Sequence, residues 1–180
     1  HTDLAAARSV LASGSSQQTY NIGHAALGGR LPVVLAGYDQ PLDLAAERFC
    51  DTNPDTGRTR RRSPYMLAQE ALNASDQSLW AIVSNGLKLR ILRDNPSLTR
   101  PAYVEVDLEA IFTEELYADF TAFWLLAHAS RFGKCLPDGT HTEPTDCPWE
   151  RWRNAGQKSG ETVRMNLRFQ VEHALRSLGT

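Results

Sequence analysis

The chain predicts a mixed α/β, or α+β, fold: one mixed sheet of about four or five strands with flanking helices, followed by C-terminal helices. Three observations carry this expectation. Residues 79–83 (Leu79-Trp80-Ala81-Ile82-Val83) form a short unbroken apolar run, the pattern of a strand buried on both faces. Asn85-Gly86 then signals a tight turn, and the next residues alternate, with Leu87, Leu89 and Ile91 on one face and Lys88, Arg90 and Leu92 on the other. Strand-like segments dominate the first two thirds, whereas helical spacing dominates the last third.

Residues 1–14 are rich in alanine and leucine and read as a helix ending near Gly14, with a polar linker over 13–18. Tyr20, Ile22 and His24 alternate with polar or small residues, as in a short strand. Residues 25–30 hold two adjacent glycines and read as a turn into a second buried strand at 31–36, so these segments form a first hairpin. Residues 37–57 read as irregular. The basic run at 58–62 precedes Ser63-Pro64, an N-cap followed by proline at the first helical position, which opens a helix to about Asn73.

After the central hairpin come a loop at 94–100 and a strand at 102–108 with Val104 and Val106 on one face. Thr113 reads as the cap of a single helix ending at Gly133. Glu114 and Glu115 lie in its first turn, His128 and Arg131 in its last, and Leu116, Phe120, Phe123, Trp124 and Ala127 on its apolar side. A loop spans 133–147. Helical spacing resumes at Pro148 with Trp149, Trp152 and Ala155, and Gly156 and Gly160 are expected to break it. Val163, Leu167, Val171, Ala174 and Leu178 then mark an amphipathic helix, partly exposed and prone to self-association.

With 180 residues, 42% of them apolar, the chain can bury one good core. A net charge of −2 points to no partner class, but the basic side chains are mostly arginine, with four inside residues 58–62. Cys50, Cys135 and Cys147 are too few for a disulfide framework and lack metal spacing, which favours a reducing, cytoplasmic setting. Cys135 and Cys147 flank His141, one donor short of a four-ligand zinc site. No membrane span or signal-peptide pattern is present in the sequence. The chain begins at His1 and reads as a piece of a longer protein.

The order of Arg60-Arg61-Arg62-Ser63-Pro64, Glu70-Ala71-Leu72-Asn73, the run from Leu79 through Arg90, and Ala102-Tyr103-Val104-Glu105-Val106-Asp107-Leu108 resembles a bacterial family. It is similar to the N-terminal region of type IIG-like restriction–modification enzymes and related phage-defence DNA adenine methyltransferases. The resemblance extends through Asp119-Phe120, Ser130-Arg131-Phe132 and residues 172–179. It implies a restriction-endonuclease-like domain over 1–132 and a helical extension over 133–180 leading toward a methyltransferase domain. It also implies double-stranded DNA as partner, a bacterial cytoplasmic setting and S-adenosylmethionine as cofactor of the parent protein.

The nuclease fold of that family places an Asp and an (Asp/Glu)-x-Lys around a divalent metal. Here Gly86, Phe132 and Gly156 stand two positions before the three lysines, so that motif is missing. The corresponding strand, 31–36, has no acid or lysine, and the strand before it offers Asn21 and His24. Methyl transfer would need an (Asn/Asp)-Pro-Pro-(Tyr/Phe) loop, yet Asn53-Pro54 and Asn95-Pro96 are followed by Asp55 and Ser97. A nuclease-like domain without catalysis is therefore the leading expectation, with Arg58, Arg60, Arg61, Arg62, Lys88 and Arg90 as DNA contacts.

Local alternatives stay open. The basic run also reads as a solvated loop, and Lys88, Arg90 and Arg93 also read as ion-pair partners of Glu105 and Asp107. A different class of reading is an active Mg2+-dependent DNA endonuclease using Asp39, Asp43, Glu105 and Asp107. A third is a protein-interaction module that makes no DNA contact.

Overall fold

The apolar run at Trp80–Ser84 lies inside a sheet and is covered on both faces, as its composition requires. The computed structural model describes residues 5–6, 19–53, 55–95 and 102–178. In chain order its strands are β1 (Ala5–Ala6), β2 (Thr19–Tyr20), β3 (His24–Ala26), β4 (Leu31–Leu35), β5 (Ala46–Thr52), β6 (Thr59–Arg62), β7 (Trp80–Ser84), β8 (Lys88–Arg93) and β9 (Tyr103–Asp107). The helices are α1 (Pro64–Asn73), α2 (Leu108–Thr113), α3 (Tyr117–Ala127) and α4 (Pro148–Leu178), with a 3-10 turn at Ala129–Arg131.

A six-stranded mixed sheet runs β1-β3-β4-β7-β8-β9, and a three-stranded sheet runs β2-β5-β6. Pairing is antiparallel except between β4 and β7, which are parallel and joined through β5, β6 and α1. The expected mixed α/β architecture is thus present, and the two-residue β1 extends the sheet beyond the expected count. β7 and β8 sit inside it, paired from Trp80↔Arg93 to Ser84↔Leu89.

Side chains from the sheet alternate between two apolar clusters. Val34, Ala81, Val83 and Leu92 pack beneath α1 and the small sheet, where Leu67, Ala68, Ala71 and Leu72 are completely buried. Leu31, Trp80 and Ile91 face the other way, onto Phe132, Cys147 and Trp149. Ser63 caps α1, its hydroxyl accepting from the Met66 amide at 3.1 Å, and Pro64 follows at the first helical position. In the central turn only Gly86 has positive φ, at 84°. Asn85 serves through its side chain, whose Oδ1 accepts from the amides of Leu87 and Lys88 at 3.2 and 2.9 Å.

Several expectations need correction. Residues 37–57 are not irregular throughout, because β5 lies among them. Its apolar alternation is masked by a register shift between Ala46 and Cys50. The basic run is strand β6 rather than a loop. The helix expected from Thr113 to Gly133 is α3 alone, from Tyr117 to Ala127, so Glu114 and Glu115 precede it and His128 and Arg131 follow it. Thr113 instead ends α2, which begins at the Asp107 cap and stops where Glu115 adopts φ 53° and Leu116 N–H donates to the Ile111 carbonyl at 3.0 Å. That is a Schellman-type stop without its usual glycine.

Gly156 and Gly160 do not break α4, which is continuous for 31 residues. Ala5–Ala6 is a strand, not a helix; the rest of the expected helix at 1–14, the linker at 13–18 and residues 96–100 of the expected loop lie outside the described residues. The expected boundary after residue 132 falls within one packed cluster, since Phe132 shares it with Cys147 and Trp149.

Candidate nucleic-acid interface

β5 and β6 form an antiparallel hairpin that carries the basic run. Cys50 pairs with Arg61 and Thr52 with Thr59, and the Asn53 Oδ1 accepts the amides of Asp55 and Thr56 at 2.9 and 3.0 Å to turn the chain. Strand pleating then separates the arginines. Arg62 donates to Glu70 of α1 at 2.8 Å, and its side chain is only 11% exposed. Arg60 reaches the same carboxylate at 3.4 Å but stays 64% exposed. Arg61 lies 3.5 Å from Glu47 and is 66% exposed. Arg58, at the turn, is exposed as well.

The Arg61–Glu47 pair is exposed on both sides and is worth only about 0.2–1 kcal/mol, so Glu47 does not lock Arg61 away from a phosphate. Arg60 keeps most of its surface in solvent although Glu70 is largely buried. Arg62 differs, because its partner and burial hold it against α1. The hairpin therefore presents Arg58, Arg60 and Arg61, and leaves Arg62 as a structural residue.

The structure removes Arg90 from the expected DNA contacts. This side chain is only 6% exposed, roofed by the loop between β4 and β5 and by two tyrosines. It donates to both carboxylate oxygens of Asp43 at 2.6 and 2.7 Å and to Glu105 at 2.6 Å. Its guanidinium also lies 4.3 Å from the Tyr103 ring centre and 5.7 Å from that of Tyr65. Lys88 remains half exposed, bonded to Glu105 at 3.3 Å. The ion-pair reading thus holds for Glu105, which faces Arg90 across the β8–β9 pairing.

Asp107 instead caps α2, accepting from the Ala110 amide at 3.0 Å. Arg93 pairs with Glu150 of α4 at 2.7 and 3.1 Å, a partner the sequence spacing did not indicate.

Of the four acids considered for a metal, only Asp43 and Glu105 are brought together, and they meet on a guanidinium. Asp39 is exposed on the loop after β4. Among the described residues no group of three or more His, Cys, Asp or Glu side chains is placed to hold a metal ion. Cys147 is completely buried, while Cys135 is exposed and pairs with His141 in an isolated antiparallel bridge. His24 lines a small polar cavity of about 110 Å³ with Asn21 and Arg48. No helix among the described residues is long and apolar enough to cross a membrane.

The cluster has an electrostatic consequence. The Arg90 hydrogen bonds hold the Asp43 carboxyl below its usual range against some burial. Burial pushes Glu105 up, but hydrogen bonds and charge from Arg90 and Lys88 outweigh it, and its carboxyl is also low. Carboxyls lower in the folded than in the unfolded chain contribute stability that is complete above the unfolded value, about 4, and disappears as pH falls through the folded ones. Urea midpoints should therefore decline below about pH 4. In Arg90→Met, whose two carboxyls return toward their ordinary range, that decline should be shallower.

Comparison with family models, with curated proteins and with solved structures finds no match to this chain.

Proposed function

We propose that this chain is a non-catalytic, DNA-engaging domain of a DNA methyltransferase or restriction–modification protein, with a nuclease-like scaffold that has lost its active site. The β5–β6 hairpin carries the reading: it presents three well-exposed guanidiniums, those of Arg58, Arg60 and Arg61, within four residues. Guanidiniums are suited to bidentate contacts with phosphate, and β6 places them along the edge of the three-stranded sheet. The partner is double-stranded DNA. The methyl donor, S-adenosylmethionine, would belong to a separate methyltransferase domain of a bacterial cytoplasmic protein.

The resemblance in motif order and the absence of (Asp/Glu)-x-Lys support the non-catalytic part. The alternative endonuclease would have to recruit Asp43 and Glu105 away from Arg90. Incubation with plasmid DNA and Mg2+ tests this directly. Retardation of the plasmid without nicking is the expected result, and Arg58→Ala/Arg60→Ala/Arg61→Ala should weaken retardation at least tenfold. Cleavage that is abolished by Glu105→Ala would establish the endonuclease instead.

A further inference from the structure

The geometry points to a reciprocal dimer in which the outer half of α4 from each copy lies in a groove formed by β9, α2 and α3 of the other. Two surfaces of one chain lack a covering, and they complement each other. The first is the groove, about 290 Å³, lined by apolar side chains that include Val104, Ile111, Leu116, Phe123 and Leu126. β9 is the edge strand of the large sheet, and α3 buries none of its residues although it is apolar almost all round. A helix of that composition ordinarily sits in a core.

The second surface is α4. Trp149 and Glu150 anchor its first turn to the sheet, but Val163, Leu167 and Val171, spaced to share one face, are 65, 59 and 50% exposed. Thirty-one residues make a rod of about 46 Å. An unbroken helix of that length points its outer half away from its own body, so it cannot turn back to cover the groove beside β9.

Charge selects the pairing. The groove's lining includes Glu105, Asp107 and Asp119 and no Lys or Arg; Glu105 is bonded to Lys88 and Arg90, which leaves Asp107 and Asp119 as its acidic rim. Residues 148–178 of α4 include six Lys or Arg against three Glu, and Arg164 and Arg168 directly follow Val163 and Leu167 of the stripe. A basic amphipathic helix facing an acid-rimmed apolar groove satisfies both surfaces at once. Exchange in both directions about a two-fold axis closes the assembly, with each copy giving one helix and receiving one.

The test is analytical ultracentrifugation of the full chain and two charge-reversed forms, with circular dichroism to verify folding. One form is Arg164→Glu/Arg168→Glu in α4; the other is Asp119→Lys/Ala122→Lys on the exposed groove side of α3. The wild type should dimerise, and each variant alone should self-associate at least tenfold more weakly. An equimolar mixture of the two should form a heterodimer, because each of its two contacts again joins opposite charges. A monomeric wild type at all accessible concentrations would overturn the proposal. So would a dimer that the groove variant leaves intact, since that result means pairing of α4 with α4 or of β9 edges.

Discussion

Replacing Trp149 by alanine should lower the unfolding free energy by about 3–5 kcal/mol, the usual cost of deleting a large buried aromatic. Trp149 is 9% exposed, its ring centre 5.1 Å from that of Trp80, and its Nε1–H donates to the Leu126 carbonyl at 3.1 Å. It is thus the point at which α3, the following loop and α4 are fastened to the second face of the sheet. The next residue adds to the loss: the Glu150 side chain is 6% exposed and holds Arg93, and a loosened first turn of α4 would strand that pair. Trp152→Ala is the matched control. Its ring touches Trp149 at 5.4 Å between centres, but the residue is 45% exposed, so the cost should stay nearer 1 kcal/mol. Urea titrations of the two variants measure both effects, and equal losses would contradict this account of the second cluster.

The Arg90 cluster should respond asymmetrically. Asp43→Ala/Glu105→Ala leaves a guanidinium that is 6% exposed without its carboxylates, and is expected to cost about 3–5 kcal/mol. Arg90→Met keeps most of the buried stem and leaves two acids whose side chains are 66 and 29% exposed and can turn toward water. A loss of about 1–2 kcal/mol is expected there. The difference arises from desolvation, since only the cation pays the full cost of lost partners. Tyr103 and Tyr65 soften it by offering their ring faces. Chemical denaturation at neutral pH compares the two, and a larger loss in Arg90→Met would contradict the view of Arg90 as the buried member.

The central hairpin, the Ser63-Pro64 helix start and the two-sided burial of β7 were legible because each has a local signature in neighbouring residues. β5 was not, since Phe49 is its only buried large side chain among Glu47, Arg48 and Cys50, and its register shift spoils the alternation. The stop between α2 and α3 was hidden because Glu115, not glycine, takes the left-handed conformation. At the candidate site the exposed arginines of β6 could be read from composition alone. The Arg90–Glu105 pair could also be read, as cross-strand neighbours, but the Asp43 contact that completes the burial of Arg90 could not, because it comes from 47 residues earlier and no spacing signals it. The Arg93–Glu150 pair, 57 residues apart, was hidden for the same reason.

The measurement that bears most directly on the DNA-engaging role is a salt titration of duplex binding by the wild type and by Arg58→Ala/Arg60→Ala/Arg61→Ala. Each phosphate neutralised contributes about 0.9 to the slope of log affinity against log salt. If the hairpin arginines contact phosphates, the wild type binds more tightly as salt falls, and the triple variant loses affinity with a slope shallower by about 2–3. Equal affinities and slopes, or no binding by the wild type even at low salt, would contradict the account. The chain would then be an interaction module, and the basic run a solvated strand edge.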